Sequence, residues 1–343
     1  MTPFARNQWY VAAYAHEIGH ELLGRTVLGE ALALYRTEDG GAVVALADRC
    51  VHRRFPLTAG RLDGDTVVCG YHGFTYDTAG ACVFVPGQKR IPRTARVASY
   101  PVVEQDSLVW VWIGEPSLAD AAAVPRARHL DSPGMVTVSG MEPIDCDYGL
   151  LVDNLLDLSH ETYLHGGYIG TPEVAETPIA TETDEGAGIV RVRRHMADAA
   201  CPPFYARSTG IEGRISRTQE IEYFAPCLYL LHSRIAPVED DSRAFHTEIT
   251  YAITPSTEGK VYDFWAVSRD FATEDEEVTT FLRDFNHTVV MQDVDALNLL
   301  QQTLETEPPG YQELSINIDA GGLAARRILA RLAEEGEKPT ETL

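Results

Sequence analysis

The chain has 343 residues, of which 45% are apolar, so it is long enough to form one large core or the cores of two domains. Its 51 acidic residues outnumber its 28 basic residues and give a formal net charge of −23, which argues against nucleic acid or an anionic membrane as a partner. No apolar run is long enough to cross a bilayer and the N-terminus lacks a signal-peptide pattern, so we expect a cytoplasmic protein.

Short apolar runs of strand length, separated by glycine-rich turns, dominate the first third of the chain. The runs are Gly24–Tyr35, Ala42–Ala47, Thr66–Gly70 and Ser107–Ile113. This pattern predicts a small all-β domain over residues 1–118. The segment Glu115–Ser132, with its alanine run and two prolines, is a candidate linker to a second domain over residues 119–343.

Two cysteines and two histidines form a paired motif inside the first domain: Cys50-Val-His52 and, sixteen residues later, Cys69-Gly-Tyr-His72. Thiolates and imidazoles at such spacings indicate a metal site. A zinc site uses the same ligand types, but zinc fingers usually present two cysteines and then two histidines. Because each segment here supplies one of each, the order favours a Rieske [2Fe–2S] cluster, in which one iron takes both thiolates and the other takes both imidazoles.

A second group of metal-binding residue types begins about eighty residues further on. Asp157 and His160 are three residues apart and would share a helix face. His165 is rotated by about 140° from His160 on an ideal helix, so the two histidines converge only if the helix ends or bulges. Gly166-Gly167 is the expected stop signal. Two histidines and one carboxylate form the facial triad of non-haem Fe(II) oxygenases.

The remainder of the chain alternates strand-length segments with a few helices. The predicted strands are Ile189–His195, Thr218–Phe224, Leu228–Ile235, Phe245–Thr254 and Tyr262–Ser268, and the predicted helices are Glu276–Leu304 and Gly322–Glu334. Strands followed by helices favour an α+β catalytic domain in which helices cover an antiparallel sheet.

Taken together, the motifs resemble those of the catalytic subunit of Rieske non-haem iron oxygenases, and within that family the vanillate O-demethylase branch. The resemblance spans nearly the whole chain, including Asn7–Ala12, both cysteine-histidine segments, Leu150–His165 and Leu314–Arg327. Three positions depart from the usual family pattern. In the first segment Val51 stands where proline is common and Arg54 where glycine is common, and in the second segment Phe74 stands where tryptophan is common.

The resemblance implies the cofactors and their ligands. Cys50, His52, Cys69 and His72 would bind the cluster, while His160, His165 and a distant aspartate would bind mononuclear Fe(II). Helix 276–304 offers Asp284, Asp293 and Asp295. The family register, in which an acidic or amide residue precedes the ligand and Gln follows eight residues later, selects Asp293 through Gln292 and Gln301, with Asp295 second.

By the same resemblance, Asp157 is a bridge rather than a ligand. It would hydrogen-bond a cluster histidine, His72, and the iron histidine His160, and so provide a route for electrons. In the family this bridge runs between neighbouring subunits, which implies a homotrimer. Asn154, one helical turn before Asp157, would lie beside the iron.

The implied reaction uses O₂, and NAD(P)H acts only through a separate reductase that carries flavin and a ferredoxin-type iron–sulfur centre. We expect O-demethylation of a methoxylated aromatic acid, vanillate or a near analogue, to a phenol and formaldehyde. Hydroxylation of a methyl or ring carbon of another aromatic acid is the alternative, and a Rieske electron carrier without oxygenase activity is a third possibility.

Two groups of basic residues bear on partners and substrate. Basic residues gather near the cysteine-histidine segments, where they form either a merely solvated surface or a docking face for an acidic electron donor. An anionic substrate also needs a local cation or donor within the acidic second domain. The candidates on predicted strands are Arg234, His246 and His232, with Arg191 and Arg193 as further possibilities.

Overall fold

The computed structural model describes residues 2–38, 41–308 and 310–337, which separate into two compact units. The smaller unit comprises Arg6–Arg126 and Thr254–Glu258, and the larger unit comprises the rest of the chain. No helix in these described ranges combines the length and the apolar character that a membrane crossing requires.

The smaller unit contains three antiparallel sheets of short strands. Their strands are β1 (Gln8–Tyr14), β2 (Leu23–Val27), β3 (Glu30–Arg36), β4 (Val43–Ala47), β5 (Arg61–Asp63), β6 (Thr66–Val68), β7 (Thr75–Tyr76), β8 (Cys82–Phe84), β9 (Ser99–Tyr100), β10 (Val102–Gln105) and β11 (Leu108–Ile113). The strand orders are β1-β11-β10, β2-β3-β4-β9 and β5-β6-β7-β8. The prediction of a small all-β domain of short strands is therefore confirmed.

The apolar run Gly24–Tyr35 forms a hairpin rather than one strand. Strand β2 ends at Val27, which pairs with Glu30 at the start of β3. The two residues between them, Leu28 and Gly29, have φ values of 50° and 78°. Two consecutive positive φ angles produce the tight two-residue turn that matches the twist of paired strands. Leucine is a rare choice for this turn, which explains why the sequence pattern does not reveal it.

The larger unit is built on a seven-stranded antiparallel sheet with helices packed against it. Its elements are β12 (Val136–Ile144), α1 (Tyr148–Leu156), α2 (Glu161–Leu164), α3 (Pro172–Glu176), β13 (Ala180–Asp184), β14 (Ile189–Ala200), α4 (Pro203–Thr209), β15 (Arg214–Phe224), β16 (Leu228–Pro237), β17 (Phe245–Thr257), β18 (Lys260–Arg269), α5 (Glu276–Thr306) and α6 (Ala320–Glu337). The sheet order is β12-β18-β17-β16-β15-β14-β13. The prediction of an α+β unit with an antiparallel sheet is confirmed.

Strand β15 shows how the sheet separates its two faces. Ile215, Arg217, Gln219, Ile221 and Tyr223 alternate along it and are all buried, whereas the residues between them are partly exposed. Successive side chains of a strand point to opposite faces, so these five share the face that carries the helices and the core. Two of the five are polar, and both contribute to the site described below.

Helix α6 packs closely against α1 because its first turn carries two adjacent glycines. A Cβ atom on Gly321 would lie 2.7 Å from Cγ2 of Val192, and one on Gly322 would lie 2.7 Å from Oδ1 of Asp153. Arg326, one turn further along α6, forms an ion pair with the same Asp153. Gly322 therefore sets how closely α6 approaches α1, the helix that leads into the candidate metal site, and Gly321 sets how closely α6 approaches β14.

Substituting Gly321 with valine should destabilise the protein by about 1–3 kcal/mol, since the added carbons overlap packed core atoms. Gly186→Val, in an exposed turn of the same unit where a Cβ meets no atom closer than 3.5 Å, is the matched control. Thermal and urea unfolding of both variants measures the difference. Equal unfolding midpoints for the two variants would contradict this account of how α6 packs against β14.

Candidate metal centres and adjoining cavity

The two cysteine-histidine segments of the smaller unit adopt nearly the same backbone conformation. Cys50 donates its main-chain N–H to the carbonyl oxygen of Phe55 at 2.9 Å, and Cys69 donates to that of Phe74 at 2.8 Å. In each segment the cysteine carbonyl also accepts from the N–H four residues later, at 2.9 Å and 3.0 Å. The segments therefore form two similar loops, although the histidine follows its cysteine by two residues in one and by three in the other.

The equivalence of the loops extends to an unusual backbone angle. The residue four positions after the cysteine has a positive φ in both loops, 59° at Arg54 and 68° at Gly73. Glycine adopts this region without strain, whereas a residue with a Cβ pays a steric penalty. Arg54, the departure from the family pattern noted in the sequence, thus takes the conformation of a glycine.

The four candidate ligands separate into a buried sulfur pair and an exposed nitrogen pair. Cys50 and Cys69 are each 2% exposed and their thiols are in hydrogen-bonding contact, while burial raises the pKa of the Cys69 thiol. The rings of His52 and His72 lie at the surface with centroids 4.5 Å apart. Two sulfurs at one position and two imidazoles at another fit a two-iron Rieske cluster better than a single tetrahedral ion.

Aromatic side chains hold this donor set in place. The hydroxyl of Tyr76 lies 3.1 Å from Sγ of Cys50 and also accepts the N–H of Val51 at 3.2 Å. The ring of Phe74 stacks on His52, with centroids 4.9 Å apart and an interplanar angle of 12°. The phenylalanine that replaces the family's usual tryptophan thus supports a candidate ligand directly.

The second candidate centre lies in the larger unit, where His160, His165 and Asp293 converge. Oδ1 of Asp293 lies 3.6 Å from Nε2 of His160 and 3.3 Å from Nε2 of His165. Among the residues that the structure describes, this is the one group of three or more metal-binding side chains whose ligand atoms all lie within 4.8 Å. Two imidazoles and one carboxylate suit Fe(II) and leave coordination positions open.

The histidines converge because the helix is interrupted earlier than the sequence suggests. Helix α1 ends at Leu156, and Asp157 has extended angles of φ −123° and ψ 98°. A short 3₁₀ turn then carries His160, and α2 ends just before His165. The expectation that Asp157 and His160 lie on one continuous helix face is therefore corrected, because the break comes at Asp157 as well as at the glycines after His165.

Hydrogen bonds from neighbouring residues orient all three side chains. His160 donates its Nδ1–H to the main-chain carbonyl of Asp157 at 2.5 Å, and His165 donates its Nδ1–H to Oε1 of Gln292 at 2.8 Å. The Nδ2 amide of Asn154 donates to Oδ1 of Asp293 at 3.0 Å. These bonds leave both Nε2 atoms directed at the metal position. In the sequence, Gln292 served only to align Asp293 with the family pattern, but the structure shows that Gln292 positions the ring of His165.

The side chain of Asp157 has its own partner in the chain. Its Oδ1 accepts the main-chain N–H of Ser159 at 2.8 Å and so caps the 3₁₀ turn that carries His160. Contact with His160 runs through the main-chain carbonyl of Asp157 rather than through its carboxylate. The described hydrogen bonds within one chain therefore assign this carboxylate a capping role.

Of the aspartates on α5, Asp293 alone lies with the histidines. Asp284 and Asp295 are exposed. Two residues along a helix correspond to a rotation of about 200°, so Asp295 faces away when Asp293 faces inward. Gln301, the other marker of register, instead accepts the main-chain N–H of Asp147 at the start of α1 at 2.9 Å.

A mostly apolar cavity adjoins the three metal-binding side chains. Besides them, its lining consists of Leu155, Leu158, Glu161, Ile169, Phe204, Tyr205, Arg217, Ile221, Leu231, Ile249, Tyr251, Asn286 and Val289. Such a lining, apolar with a few polar groups, is typical of sites for small organic molecules. The polar members other than the candidate ligands and the two tyrosines are Glu161, Arg217 and Asn286.

Glu161 and Arg217 form a buried ion pair in the cavity wall. Nη2 of Arg217 donates to Oε2 of Glu161 at 2.9 Å, and both side chains are 3% exposed. Gln219 donates to Oε1 of Glu161 at 2.7 Å, and Nη1 of Arg217 donates to the carbonyl oxygen of Ile169 at 3.0 Å. Burial lowers the pKa of Arg217, but the charge of Glu161 and the contacts with Glu161 and Tyr205 together outweigh burial and raise this pKa.

The basic residues proposed from sequence to bind substrate lie outside the cavity lining. They are Arg234, His232, His246, Arg191 and Arg193. In that order their carboxylate partners are Asp241, Glu248, Asp270, Glu222 and Glu220. Along β16 it is Leu231 that lines the cavity, so the alternation of side chains directs His232 and Arg234 to the other face. The strands were predicted well, but their buried face was not.

Comparison with known proteins gives matches over nearly the entire chain. Residues 8–101 match the Rieske [2Fe–2S] domain, and residues 144–335 match the vanillate O-demethylase oxygenase C-terminal domain. The vanillate O-demethylase oxygenase subunit of Pseudomonas sp. (strain HR199 / DSM 7063) is 34% identical, with 97% of this chain and 96% of that protein covered.

Two further similar proteins are named for other aromatic compounds. The iron–sulfur subunit TsaM1 of the toluene-4-sulfonate monooxygenase system from Comamonas testosteroni is 34% identical, with 97% of this chain and 99% of that protein covered. The crystal structure of dicamba monooxygenase bound to 3,6-dichlorosalicylic acid has a TM-score of 0.93 and 31% identity over 98% of this chain and all of the other.

Removing one of the three candidate iron ligands should remove one iron per chain. In His165→Ala or Asp293→Ala, mononuclear iron should be lost while the visible absorption of the cluster stays unchanged, because the cluster ligands lie in the other unit. Asp295→Ala, on the exposed side of the same helix, is the matched control and should retain its iron. Iron analysis combined with visible spectroscopy tests this, and bleaching of the cluster by either ligand variant would contradict it.

Replacing a candidate cluster ligand should have the opposite effect. Cys50→Ser or His72→Ala should abolish the red-brown colour and about two irons and two sulfides per chain, since one iron loses a ligand in each case. Cys201→Ser, a partly exposed cysteine remote in sequence from both loops, should keep its colour. Stoichiometric zinc in place of iron in the anaerobically purified protein would refute the assignment.

Proposed function

Because the chain belongs to the Rieske non-haem iron oxygenases that carry a vanillate O-demethylase-type C-terminal domain, we propose that it O-demethylates a methoxylated aromatic acid, with vanillate the first candidate. The observation that carries the proposal is the convergence of His160, His165 and Asp293 beside an apolar cavity. The protein is a monooxygenase component that holds a Rieske cluster and a non-haem iron. The reductase that supplies its electrons is a separate protein.

The reaction is balanced by one O₂, two electrons and two protons for each methoxyl group. One oxygen atom is inserted into a methyl C–H bond and the other leaves as water. The resulting hemiacetal then breaks the bond between its former methyl carbon and the oxygen attached to the ring, which gives a phenol and formaldehyde. When bound, the cluster supplies the electrons and the iron activates O₂. The chain itself supplies ligands, orientation and a cavity that excludes water.

Individual residues account for that contribution. We assign iron binding to His160, His165 and Asp293, and cluster binding to Cys50, His52, Cys69 and His72. Asn154 and Gln292 fix the orientation of two iron ligands through the hydrogen bonds described above. The apolar side chains that line the cavity would pack against an aromatic ring and exclude water from the reacting carbon.

The names of the relatives favour an aromatic anion as substrate. Vanillate and toluene-4-sulfonate are both aromatic rings that carry one acidic group. The second of these has a methyl group and no methoxyl group, and this supports hydroxylation of a methyl carbon as the alternative reaction. The three converged metal-binding side chains count against a simple electron carrier, which has no use for a second metal site.

A basic surface on the smaller unit supports docking of an acidic electron donor. We define it by its residues, which are Arg49, Arg53, Arg54, Arg61, Lys89, Arg90, Arg93 and Arg96. All eight are exposed, and within the described part of the chain their cationic groups have no carboxylate partner within 4 Å. In a protein of net charge −23, an unpaired basic region beside the cluster ligands favours electrostatic recognition of a negatively charged partner.

Exposed apolar residues near both metal centres support assembly into a homotrimer. Tyr71, adjacent to His72, is 60% exposed. On the larger unit, Leu300 and Leu314 are 51% and 88% exposed and line an open pocket that includes Asp157 and His160. Large exposed apolar side chains mark contact surfaces. We infer that the cluster loops of one subunit meet this pocket of the next, where Asp157 would link a cluster histidine of the partner to His160.

The purified protein with a compatible reductase and NAD(P)H should convert vanillate to its demethylated phenol, with one formaldehyde released for each O₂ consumed. Product analysis together with oxygen uptake measures this. The Asp293→Ala variant, which lacks an iron ligand, is the inactive control. Hydroxylation of another aromatic acid without formaldehyde release would establish the alternative reaction, and failure to consume O₂ with any aromatic acid would refute both.

Mixing two inactive variants should restore activity if electrons cross between subunits. Chains with Cys50→Ser lack the cluster, and chains with His160→Ala lack the iron site. Co-expressed chains assemble mixed trimers in which an intact cluster meets an intact iron site on a neighbour. Recovery of part of the wild-type turnover is expected, and complete inactivity of correctly assembled mixtures would show that transfer stays within one chain.

A further inference from the structure

Two buried hydrogen-bond donors in the cavity wall lack a partner. Nε of Arg217 and Nδ2 of Asn286 make no hydrogen bond within the described part of the chain, although the residues are only 2% and 5% exposed. Buried polar groups in folded proteins are almost always hydrogen-bonded, because an unmet donor loses its interaction with water. Both residues line the cavity beside the candidate iron site. A group that enters the cavity can therefore supply the missing acceptor.

The position of Asn286 sets its distance from the iron ligands. Asn286 and Asp293 are seven residues apart on α5, which is two helical turns and about 10 Å along one face. Val289 lines the cavity between them. This spacing leaves room for one substituted benzene ring between the metal position and Asn286, so a substituent at the far end of the ring meets the amide.

The remaining bonds of Arg217 fix the direction of its free donor. Its two terminal nitrogens are held by Glu161 and by the carbonyl of Ile169, and its guanidinium lies 5.2 Å from the centroid of the Tyr205 ring. The guanidinium is planar and rigid, so Nε has a fixed orientation and is preorganised to donate. Preorganised donors bind an acceptor without the cost of ordering a flexible side chain.

The charges of the lining favour a negatively charged acceptor. Glu161 balances Arg217, and Asp293 balances only one unit of the charge of a divalent metal ion held by neutral histidines. When a divalent ion is bound, one positive charge would therefore remain in a cavity of low polarity, where an uncompensated charge is costly. A substrate that carries one carboxylate restores neutrality and also accepts hydrogen bonds from both free donors.

We propose that the unpartnered donors of Arg217 and Asn286 bind the carboxylate of the aromatic substrate within this cavity. This inference rests on the proposed function for the identity of the substrate, but the binding of the acid group can be measured without turnover. Arg217 and Asn286 thus select for an acid group, while the apolar wall selects for the ring.

The test compares vanillate with 2-methoxyphenol, which is the same molecule without its carboxylate. In Asn286→Leu the dissociation constant for vanillate should rise roughly ten- to hundredfold, as expected for a lost hydrogen bond to a charged group, while that for 2-methoxyphenol stays unchanged. Asn286→Asp should weaken vanillate binding further, because it places a second carboxylate beside the first. Calorimetry on the oxidised, iron-loaded protein without reductase provides the binding constants.

Arg217→Lys tests the other donor and keeps a cation beside Glu161. It should reduce the preference for vanillate over 2-methoxyphenol to a similar extent, because lysine has no donor at the Nε position. Asn298→Leu, an amide on the same helix outside the cavity lining, is the matched control and should leave both constants at their wild-type values. If Arg217→Lys fails to fold, the two Asn286 variants decide the question alone.

The binding measurements test the proposed carboxylate contact independently of the proposed O-demethylation. If Asn286→Leu weakens both ligands equally, the residue shapes the cavity and the proposed carboxylate contact is refuted. Wild-type protein that binds the two ligands with equal affinity refutes it as well. If vanillate binds selectively and Asn286 controls that selectivity, yet no formaldehyde forms on turnover, the binding proposal stands and the demethylation proposal fails.

Discussion

One carboxylate oxygen, Oδ1 of Asp293, aligns the elements around the iron position. It accepts the amide of Asn154 from α1 and faces Nε2 of His160 and His165, which belong to the two short segments after α1. These contacts require α5 to lie in a fixed register against α1, and the bond from Asp147 to Gln301 holds the same register two turns further along. A helix that shifted by one residue would rotate Asp293 away by about 100°. The cavity, its lining and both histidines depend on this alignment.

The candidate cluster ligands are arranged differently from the iron ligands, because two loops of the same main-chain conformation each supply one cysteine and one histidine. Two loops with the same main-chain hydrogen bonds bring a cysteine each to the interior and a histidine each to the surface. The left-handed residue in each loop is required for the turn, and Arg54 accepts there a strain that glycine avoids. Its side chain in return adds a positive charge to the basic surface beside the cluster ligands.

The sequence predicted what depends on local spacing and missed what depends on tertiary contacts. The paired cysteine-histidine segments and the glycines after His165 are local signals. Asp293 was selected as a ligand because its neighbours Gln292 and Gln301 match the family's spacing, and physical reasoning from the sequence alone did not select it. The break at Asp157 was missed, since only the capped 3₁₀ turn after it reveals that the helix stops there. The cavity residues were missed for a further reason. The predicted strand Thr218–Phe224 began one residue after Arg217, although Ile221 and Tyr223 mark the buried face that Arg217 and Gln219 share. On the neighbouring strand β16, His232 and Arg234 point to the face opposite Leu231 and lie outside the cavity lining.

The carbonyl of Glu161 joins the polar wall of the cavity to the metal ligands. Glu161 directly follows His160, its carbonyl accepts the N–H of His165, and a Cβ on Gly170 would approach that same carbonyl to 1.7 Å. A substitution that displaces the main chain at Glu161 therefore also displaces the candidate ligands His160 and His165. Evolution of a new substrate preference is constrained at these positions and comparatively free at Leu231, Ile249 and Tyr251, whose strands carry no metal ligand. Divergence within this architecture should accordingly concentrate on β16 and β17, where a changed side chain alters the shape of the cavity without altering the chemistry of the iron.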